Sequence, residues 1–246
     1  HIEIQVIGDT KGHVLALGER ECSVQRKHQK VLEETPSPFI DERLRKKIIK
    51  ATQDAAHAIG YQSLGTFEFL VDDEKRFYFM EANTRVQVEH PITEMVYGID
   101  LVKEQIKIAA GEKLSLPNDL QMFGHSIECR INAEDPDTFI PSAGQIEFLV
   151  LPGGQGIRVD TAAYKGWTIP PDYDSLLAKV IARAPTRKEA IRKMQTALEM
   201  TTIVGIKTNI PLHLNVLSHA DFKKGNYTIQ FLEKYLSKKN AKSKKR

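Results

Sequence analysis

The sequence predicts an α+β fold in which antiparallel strand pairs are interleaved with separate amphipathic helices. Three observations carry that expectation. Residues 2–7 and 14–17 flank the turn cluster Gly8-Asp9-Thr10-Lys11-Gly12, the pattern of a hairpin. The aromatic-rich runs 64–71 and 77–82 flank a second polar loop, Asp72-Asp73-Glu74-Lys75-Arg76. Between them Asp41 caps a helix whose apolar stripe is Leu44, Ile48, Ala51, Ala55 and Ile59, and Gly60 stands at its C-terminal stop.

The remaining elements follow in order. Asp100 caps a second helix with Leu101, Val102, Ile106 and Ala109 inward, ending at Gly111. Pro117-Asn118-Asp119 reads as a connection, and the texture changes after it. Strands are expected at 126–132, 145–150, 156–161 and 176–181. Thr186 and Glu189 form a capping box before a helix at 187–200, and helical stretches at 210–217 and 229–236 close the body. The expected organisation is a first domain over 1–116, a second over 117–236 and a basic, disordered tail over 237–246, with the boundary between 112 and 123. Pro152-Gly153-Gly154-Gln155-Gly156 resembles a phosphate-cradling loop. It lacks the following Lys-Ser/Thr and leads into a strand, so it reads as a hairpin turn.

Composition narrows the function. At 41% hydrophobic and 27% charged residues the chain is of globular type. No apolar run approaches the roughly 20 residues of a membrane-spanning helix. The net charge of +3 is carried by the tail, whose six cations leave 3 − 6 = −3 for the body, so nucleic acid is not an expected partner. Cys22 and Cys129 stand far apart and read as free thiols of a reducing compartment. The chain opens on His1 and runs straight into an interior-type strand, so a fragment of a longer polypeptide is expected.

Chemistry concentrates between Gly65 and Pro91. Antiparallel pairing can bring Glu68 beside Glu81, with Asn83 just beyond; Phe77, Phe79, Glu81 and Asn83 are expected to share one face. Facing carboxylates repel unless a cation lies between them, and two acids plus an amide suit Mg²⁺. Two unrelated acids on solvated strands fit the same pattern. In the continuation Asn83-Thr84-Arg85-Val86-Gln87-Val88-Glu89-His90-Pro91, Arg85 offers a planar fork for an oxyanion and Gln87 an amide donor. Glu89 can take a proton if desolvation raises its pKa, with His90 the competing base. A plain polar loop leading into a helix at Pro91 is the other reading. The basic run Gln25-Arg26-Lys27-His28-Gln29-Lys30 is either a solvated loop or a phosphate-facing one. Arg130 shares a strand face with Glu128 and Asn132, where an ordinary ion pair is the plain reading, and Asp174 sits in a turn where it could orient an arginine.

Taken together these strings resemble the biotin carboxylase family of ATP-grasp enzymes. The resemblance rests on Glu21 to Lys30, Gly65 to Phe69, Glu81 to Glu94, Glu128 to Pro136 and Gly205 to Asn209, and it covers residues 1 to about 236. It implies the C-terminal part of an ATP-grasp domain followed by a biotin carboxylase C-terminal domain, an antiparallel sheet with helices. By position it implies that Glu68, Glu81 and Asn83 hold Mg²⁺, or Mn²⁺, with ATP. Lys30, Arg85, Gln87, the Val88 backbone and Glu89 would form a bicarbonate pocket with Glu89 as base. Arg130 would stabilise the biotin enolate, with Asp174 near the biotin. His1, Gln25 and His28 would lie on the ribose and phosphate side, and Leu70 and Ile229 against adenine.

The implied reaction is ATP- and bicarbonate-dependent carboxylation of biotin on a carrier protein, through carboxyphosphate. The implied partners are a second copy through the C-terminal domain, a biotin carboxyl carrier and a carboxyltransferase, in the cytoplasm or, in a eukaryote, the mitochondrial matrix. The family's N-terminal domain, glycine-rich lid and upstream phosphate lysines have no counterpart in these residues, so the chain alone is expected to be inactive. A non-catalytic dimerisation module and a different ATP-grasp ligase are the competing readings.

Overall fold

The computed structural model describes residues 1–243. The strands of the first half are β1 (Ile2–Gly8), β2 (Val14–Arg26), β3 (Gln29–Thr35), β4 (Ser63–Val71) and β5 (Phe77–Asn83). Its helices are α1 (Glu42–Ala58), α2 (His90–Tyr97) and α3 (Leu101–Ala109). The second half contributes strands β6 (His125–Asn132), β7 (Gly144–Gln145), β8 (Phe148–Val150), β9 (Ile157–Thr161), β10 (Thr168–Ile169), β11 (Leu176–Ala184) and β12 (Thr202–Val204). Its helices are α4 (Arg187–Met200), α5 (Ile210–Ser218), α6 (Ala220–Lys224) and α7 (Phe231–Ser243).

Eight strands form one sheet in the order β5-β4-β1-β2-β3-β6-β11-β9, every pairing antiparallel. The sheet runs across the connection at 112–123 through β3 and β6, where Leu32 faces Cys129 and Thr35 faces Ser126. Helix α1 packs on β1 and β2, α2 on β3, β6 and β11, and α4 on β6 and β11. One core gathers Ile4, Leu44, Ile48, Phe67 and Phe69 under α1, and another gathers Ile127, Val180, Met194, Leu217 and Phe222 under the later helices. No helix among the described residues is long and apolar enough to cross a membrane.

The helix caps act as their chemistry dictates, but the buried faces are corrected. Helix α1 buries Leu44, Ile48, Thr52 and Ala56 and α3 buries Leu101, Glu104 and Ile108, while Ile59, Val102 and Ile106, expected inward, are exposed. Asp41 accepts from the Leu44 amide and Asp100 from the Lys103 amide, while Thr186 and Glu189 close a reciprocal capping box. Both cysteines are buried and free.

The strands depart from expectation in instructive ways. The run expected as a basic loop at 25–30 is the tip of a long hairpin, because β2 continues to Arg26 and β3 begins at Gln29. Its two-residue turn puts Lys27 at φ 48° and His28 at φ 63°, left-handed conformations usually marked by Asn or Gly. The 152–156 segment is not a hairpin turn, since β8 pairs with β12 and β9 with β11. Gly156 is held against β11, donating nothing there but accepting from the Arg183 amide at 2.7 Å. The strand expected at 145–150 is split, with Gln145 and Phe148 belonging to different small sheets. The expected disordered tail is corrected for 237–243, where α7 continues, because no Gly or Pro interrupts it; 244–246 lie outside the described residues.

Gly205 stands at φ +100°, and a Cβ there would lie 2.1 Å from the Gln145 carbonyl oxygen. Gly205→Ala should therefore lower stability by about 1–3 kcal/mol, read as the midpoint of thermal unfolding. Gly153→Ala, where a Cβ meets nothing within 4 Å, should leave the midpoint unchanged.

Candidate active site

Glu68 and Glu81 lie directly opposite each other on β4 and β5, and Asn83 faces Thr66 one step along. A bulge at Met80 makes this arrangement. Phe69 pairs with Phe79 while Glu68 pairs with Glu81, so one residue of β5 is looped out. Phe77 and Phe79 therefore turn to the face of Phe67 and Phe69, with ring centroids 5.8–5.9 Å apart. Glu81 and Asn83 turn the opposite way, which corrects the expectation that all four share a face. The Asn83 amide donates to Glu68 Oε1 at 2.9 Å and to Glu81 Oε1 at 3.1 Å, so one side chain bridges both acids. Glu68 is buried and Glu81 exposed, as an acid on an edge strand can be.

Behind the acids lies a buried lattice of charge. Arg20 is wholly buried and donates to Glu3 Oε2, Gln5 Oε1 (2.6 Å), Thr66 Oγ1 (2.9 Å), Gln87 Oε1 (3.1 Å) and Thr93 Oγ1. Gln87 in turn donates to Glu68 Oε1 at 2.8 Å, so its amide faces this lattice and not open solvent. Lys30 Nζ joins Glu89 Oε1 (2.7 Å), Glu68 Oε1 (3.0 Å) and Glu3. Arg130 spans Glu33, at 2.7 Å from Nε, and Glu89 Oε2, at 3.0 Å. The ordinary ion pair expected for Arg130 is thus present, made with these two and not with its strand-mate Glu128, because β3 and the loop before α2 bring closer carboxylates.

These contacts set the protonation states. Burial first, then the Glu89 charge, push the Glu3 carboxyl up to about 8 against the pull of Arg20 and Lys30. Burial acts the same way on Glu89, yet Lys30, Arg20 and Arg130 together overcome it and hold that carboxyl at about 2. The condition under which Glu89 was expected to serve as base, a pKa raised by desolvation, is thus not met in this state. His90, the competing base, donates from Nδ1 to the Gln87 carbonyl at 2.7 Å, and burial pushes its imidazole down.

Two cavities flank the acids. One, of 270 Å³, brings together His28, Lys30, Arg85, Gln87, Val88, Glu89, Arg130 and Asp174. Here Arg85 is exposed and only loosely held, by the Val86 carbonyl at 3.3 Å and Asn83 Oδ1 at 3.4 Å. The Val88 carbonyl accepts from Lys179 at 3.0 Å. Asp174 caps its own turn by accepting from the Leu176 amide at 2.8 Å, and it contacts no arginine in the hydrogen bonds and ion pairs seen. The other cavity, of 370 Å³ and mostly apolar, is lined by His1, Leu70 and Ile229 with Tyr78 and Tyr227. His1 connects it to the acids, with Nε2 2.7 Å from Glu68 Oε2 and Nδ1 2.7 Å from Gln25 Nε2. His28 thus lies with Arg130 and not beside His1.

The oxygen-rich edge fits a hard divalent cation. Glu68, Glu81 and Asn83 converge through the Asn83 amide, and the buried Glu3 carboxylate lies next to them, paired with Lys30. Sequence reasoning missed Glu3, Arg20, Glu33 and Lys179. A usable signal existed for Glu3, an acid inside the apolar strand Ile2-Glu3-Ile4, whereas nothing local marks the others.

Residues 1–117 match the family described as carbamoyl-phosphate synthase L chain, ATP binding domain, and residues 128–234 match the biotin carboxylase C-terminal domain. The biotin carboxylase of Haemophilus influenzae is 54% identical over 237 residues, 96% of this chain and 53% of that protein. The biotin carboxylase domain dimer of the Hydrogenobacter thermophilus 2-oxoglutarate carboxylase, in complex with MgADP, ADP and bicarbonate, superposes with a TM-score of 0.93. It is 50% identical, over 95% of this chain and 52% of that one. The biotin carboxylase subunit of a pyruvate carboxylase gives the same TM-score of 0.93 and 50% identity, over 96% of this chain and 53% of that one. The chain spans about half the length of the curated relatives it matches.

Removing Arg20 would leave Glu3 with Lys30 as its one remaining permanent cation among the described residues and strand four neutral partners in the interior. Arg20→Ala should cost about 3–5 kcal/mol, read from urea unfolding. Arg76→Ala, whose partners Asp72 and Glu74 lie on the surface, should leave the urea midpoint where it was.

Proposed function

We propose that this chain, which belongs to the biotin carboxylase family, supplies the C-terminal part of a site that carboxylates biotin on a carrier protein with ATP and bicarbonate. The observation that carries this reading is the convergence of Lys30, Glu89 and Arg130, with Arg85 at the rim, in one cavity beside the Glu68–Glu81–Asn83 edge. A divalent cation, Mg²⁺ or Mn²⁺, would be held by Glu68, Glu81 and Asn83 and would neutralise phosphate oxygens. ATP would lay its base against Leu70 and Ile229, with His1 and Gln25 at the ribose side.

Bicarbonate would sit between Lys30, Arg85, Gln87 and the Val88 backbone, within reach of Glu89. An anion beside Lys30 and Arg130 offsets the cations that hold Glu89 at about 2, so its strength as a base rises as the cavity fills. The bicarbonate oxygen freed of its proton attacks the γ-phosphorus of ATP, and ADP leaves. The resulting carboxyphosphate breaks into CO₂ and phosphate. The phosphate takes the proton from the biotin ureido nitrogen, and that nitrogen bonds the CO₂ carbon. Arg130, aimed into the cavity, stabilises the enolate formed on the way, and His28 and Asp174 lie on that side.

A division into an ATP-grasp part over 1–116 and a C-terminal domain over 117–236 is supported by the two family matches. Pairing with a second copy, here assigned to the C-terminal domain, is supported as far as the pairing goes by the dimer of the Hydrogenobacter thermophilus domain. A biotin carrier and a carboxyltransferase, in the cytoplasm, complete the proposed setting.

The test is a chimera in which this chain replaces the matching half of the Haemophilus influenzae enzyme. It should hydrolyse ATP in a bicarbonate-dependent manner and carboxylate biotin. Glu89→Gln should lower both rates by about 10²–10⁴-fold, and Arg85→Ala should raise the bicarbonate KM. Arg130→Ala should lower biotin carboxylation by about 10²–10³-fold while sparing bicarbonate-dependent ATP turnover. Wild-type turnover by Glu89→Gln would sink the assignment of the base.

A further inference from the structure

Glu33 and Glu128 stand directly opposite each other on β3 and β6, and each is wholly buried. Directly opposed side chains on antiparallel strands have Cβ atoms about 4.5–5.5 Å apart. Of their four carboxyl oxygens only Glu33 Oε1 has a hydrogen-bond partner among the described residues, the Arg130 guanidinium. Glu33 Oε2 and both oxygens of Glu128 are buried without one. The cations of the next row are committed elsewhere. Arg130 faces Lys179 across β6 and β11, and Lys179 Nζ is spent on the Val88 carbonyl at 3.0 Å and the Asp160 carboxylate at 3.5 Å.

We propose that Glu33 and Glu128 share one proton, carried by Glu128, and that Glu128 is thereby a positioning residue for Arg130. One proton resolves the geometry. A carboxylic acid at Glu128 can donate to the vacant Glu33 Oε2, which leaves Glu33 fully charged toward Arg130. The reverse placement wastes the guanidinium, because Glu128 has no cation bonded to it. The charged groups facing the pair are Arg130, Lys179, Lys30 and Glu89; burial and then the Glu33 charge drive the Glu128 carboxyl well above the carboxylate range. When the proton leaves, two buried carboxylates repel across the strand pair, Glu33 shifts, and Arg130 loses the partner that fixes its fork.

The assignment rests on Arg130 facing the biotin enolate only for its catalytic consequence, so stability and activity test it separately. Glu128→Gln keeps the shape and supplies a permanent N–H donor; Glu128→Leu supplies none. Glu128 has a folded pKa above its unfolded one, so the wild-type protein loses stability as pH rises from the ordinary carboxylate range toward the raised folded value. Glu128→Gln lacks that loss, and its thermal midpoint should climb relative to wild type across the window. Parallel curves would overturn the shared proton, whether or not Glu128→Leu folds. In the chimera, Glu128→Gln should retain biotin carboxylation at neutral pH and move its alkaline limb upward. Glu128→Leu should lose about tenfold to a hundredfold in biotin carboxylation with ATP turnover kept. If Glu128→Gln falls as far as Glu128→Leu, the positioning role is overturned. If instead Arg130→Ala carboxylates normally, the reading of Arg130 fails while the midpoint comparison still decides the proton.

Discussion

The site depends on one buried guanidinium. Arg20 reaches from β2 to Glu3 and Gln5 on β1, Thr66 on β4, Gln87 in the loop before α2, and Thr93 on α2 itself. A lysine could not replace it, since an ammonium carries three donors and five acceptor oxygens surround the guanidinium. With Arg20 in place the loop from Asn83 to Glu89 has one seating, and Gln87 then hands the order on to Glu68. The functional groups are held by a rigid interior lattice, while Arg85, which reaches solvent, is the loosely held member of the set.

The lattice also explains why two nearby carboxyls behave oppositely. Glu3, Glu33, Glu68 and Glu89 face three permanent cations, Arg20, Lys30 and Arg130, so the cluster carries more acid than base. Glu89 touches two of the cations at their exposed ends and stays ionised near 2. Glu3 lies deeper, wholly buried, and is pushed to about 8 although Arg20 and Lys30 both pair with it. A cation at the Glu68–Glu81 edge would relieve the excess on the Glu3 side, and an anion in the cavity would loosen the grip on Glu89. Both adjustments follow from Coulomb interactions in a poorly solvated interior.

Much of this site was legible because its central part is contiguous. A hairpin and the nine residues after it carry Glu68, Glu81, Asn83, Arg85, Gln87 and Glu89, so strand alternation and short-range spacing suffice to bring them together. The bulge at Met80 was not legible, since one looped-out residue reverses which side chains share a face without altering composition. Nor was the length of β2 and β3. Glu19, Arg20, Glu21, Ser23 and Gln25 are buried in partnered networks, so β2 lacks the apolar alternation that marks a strand. The partners of Arg130 were hidden for a different reason. Glu33 is 97 residues away in sequence, and only the β3–β6 pairing makes it a closer neighbour than Glu128.

The second half of the chain does more than close the sheet. The Arg130 carbonyl accepts from Asn209 Nδ2 at 2.9 Å and from His213 Nε2 at 2.8 Å, so α5 fixes the backbone of a residue whose side chain lines the cavity. Burial holds the His213 imidazole down at about 4, which keeps it neutral and fixes Nε2 as the donor. A similar tie serves the other cavity. Buried Glu34 accepts from Arg187 at 2.7 and 2.8 Å, His125 at 2.6 Å and Tyr227 at 2.5 Å, and Tyr227 lines the apolar pocket beside Ile229. Both cavities therefore have one wall anchored in strands of the first half and another in helices of the second. A purely assembling role for the C-terminal segment would leave these buried, fully directed contacts without a cause. Positioning Arg130 and Tyr227 accounts for them, and it explains why the sheet runs unbroken through β3 and β6 where a looser linkage between halves would let both walls drift.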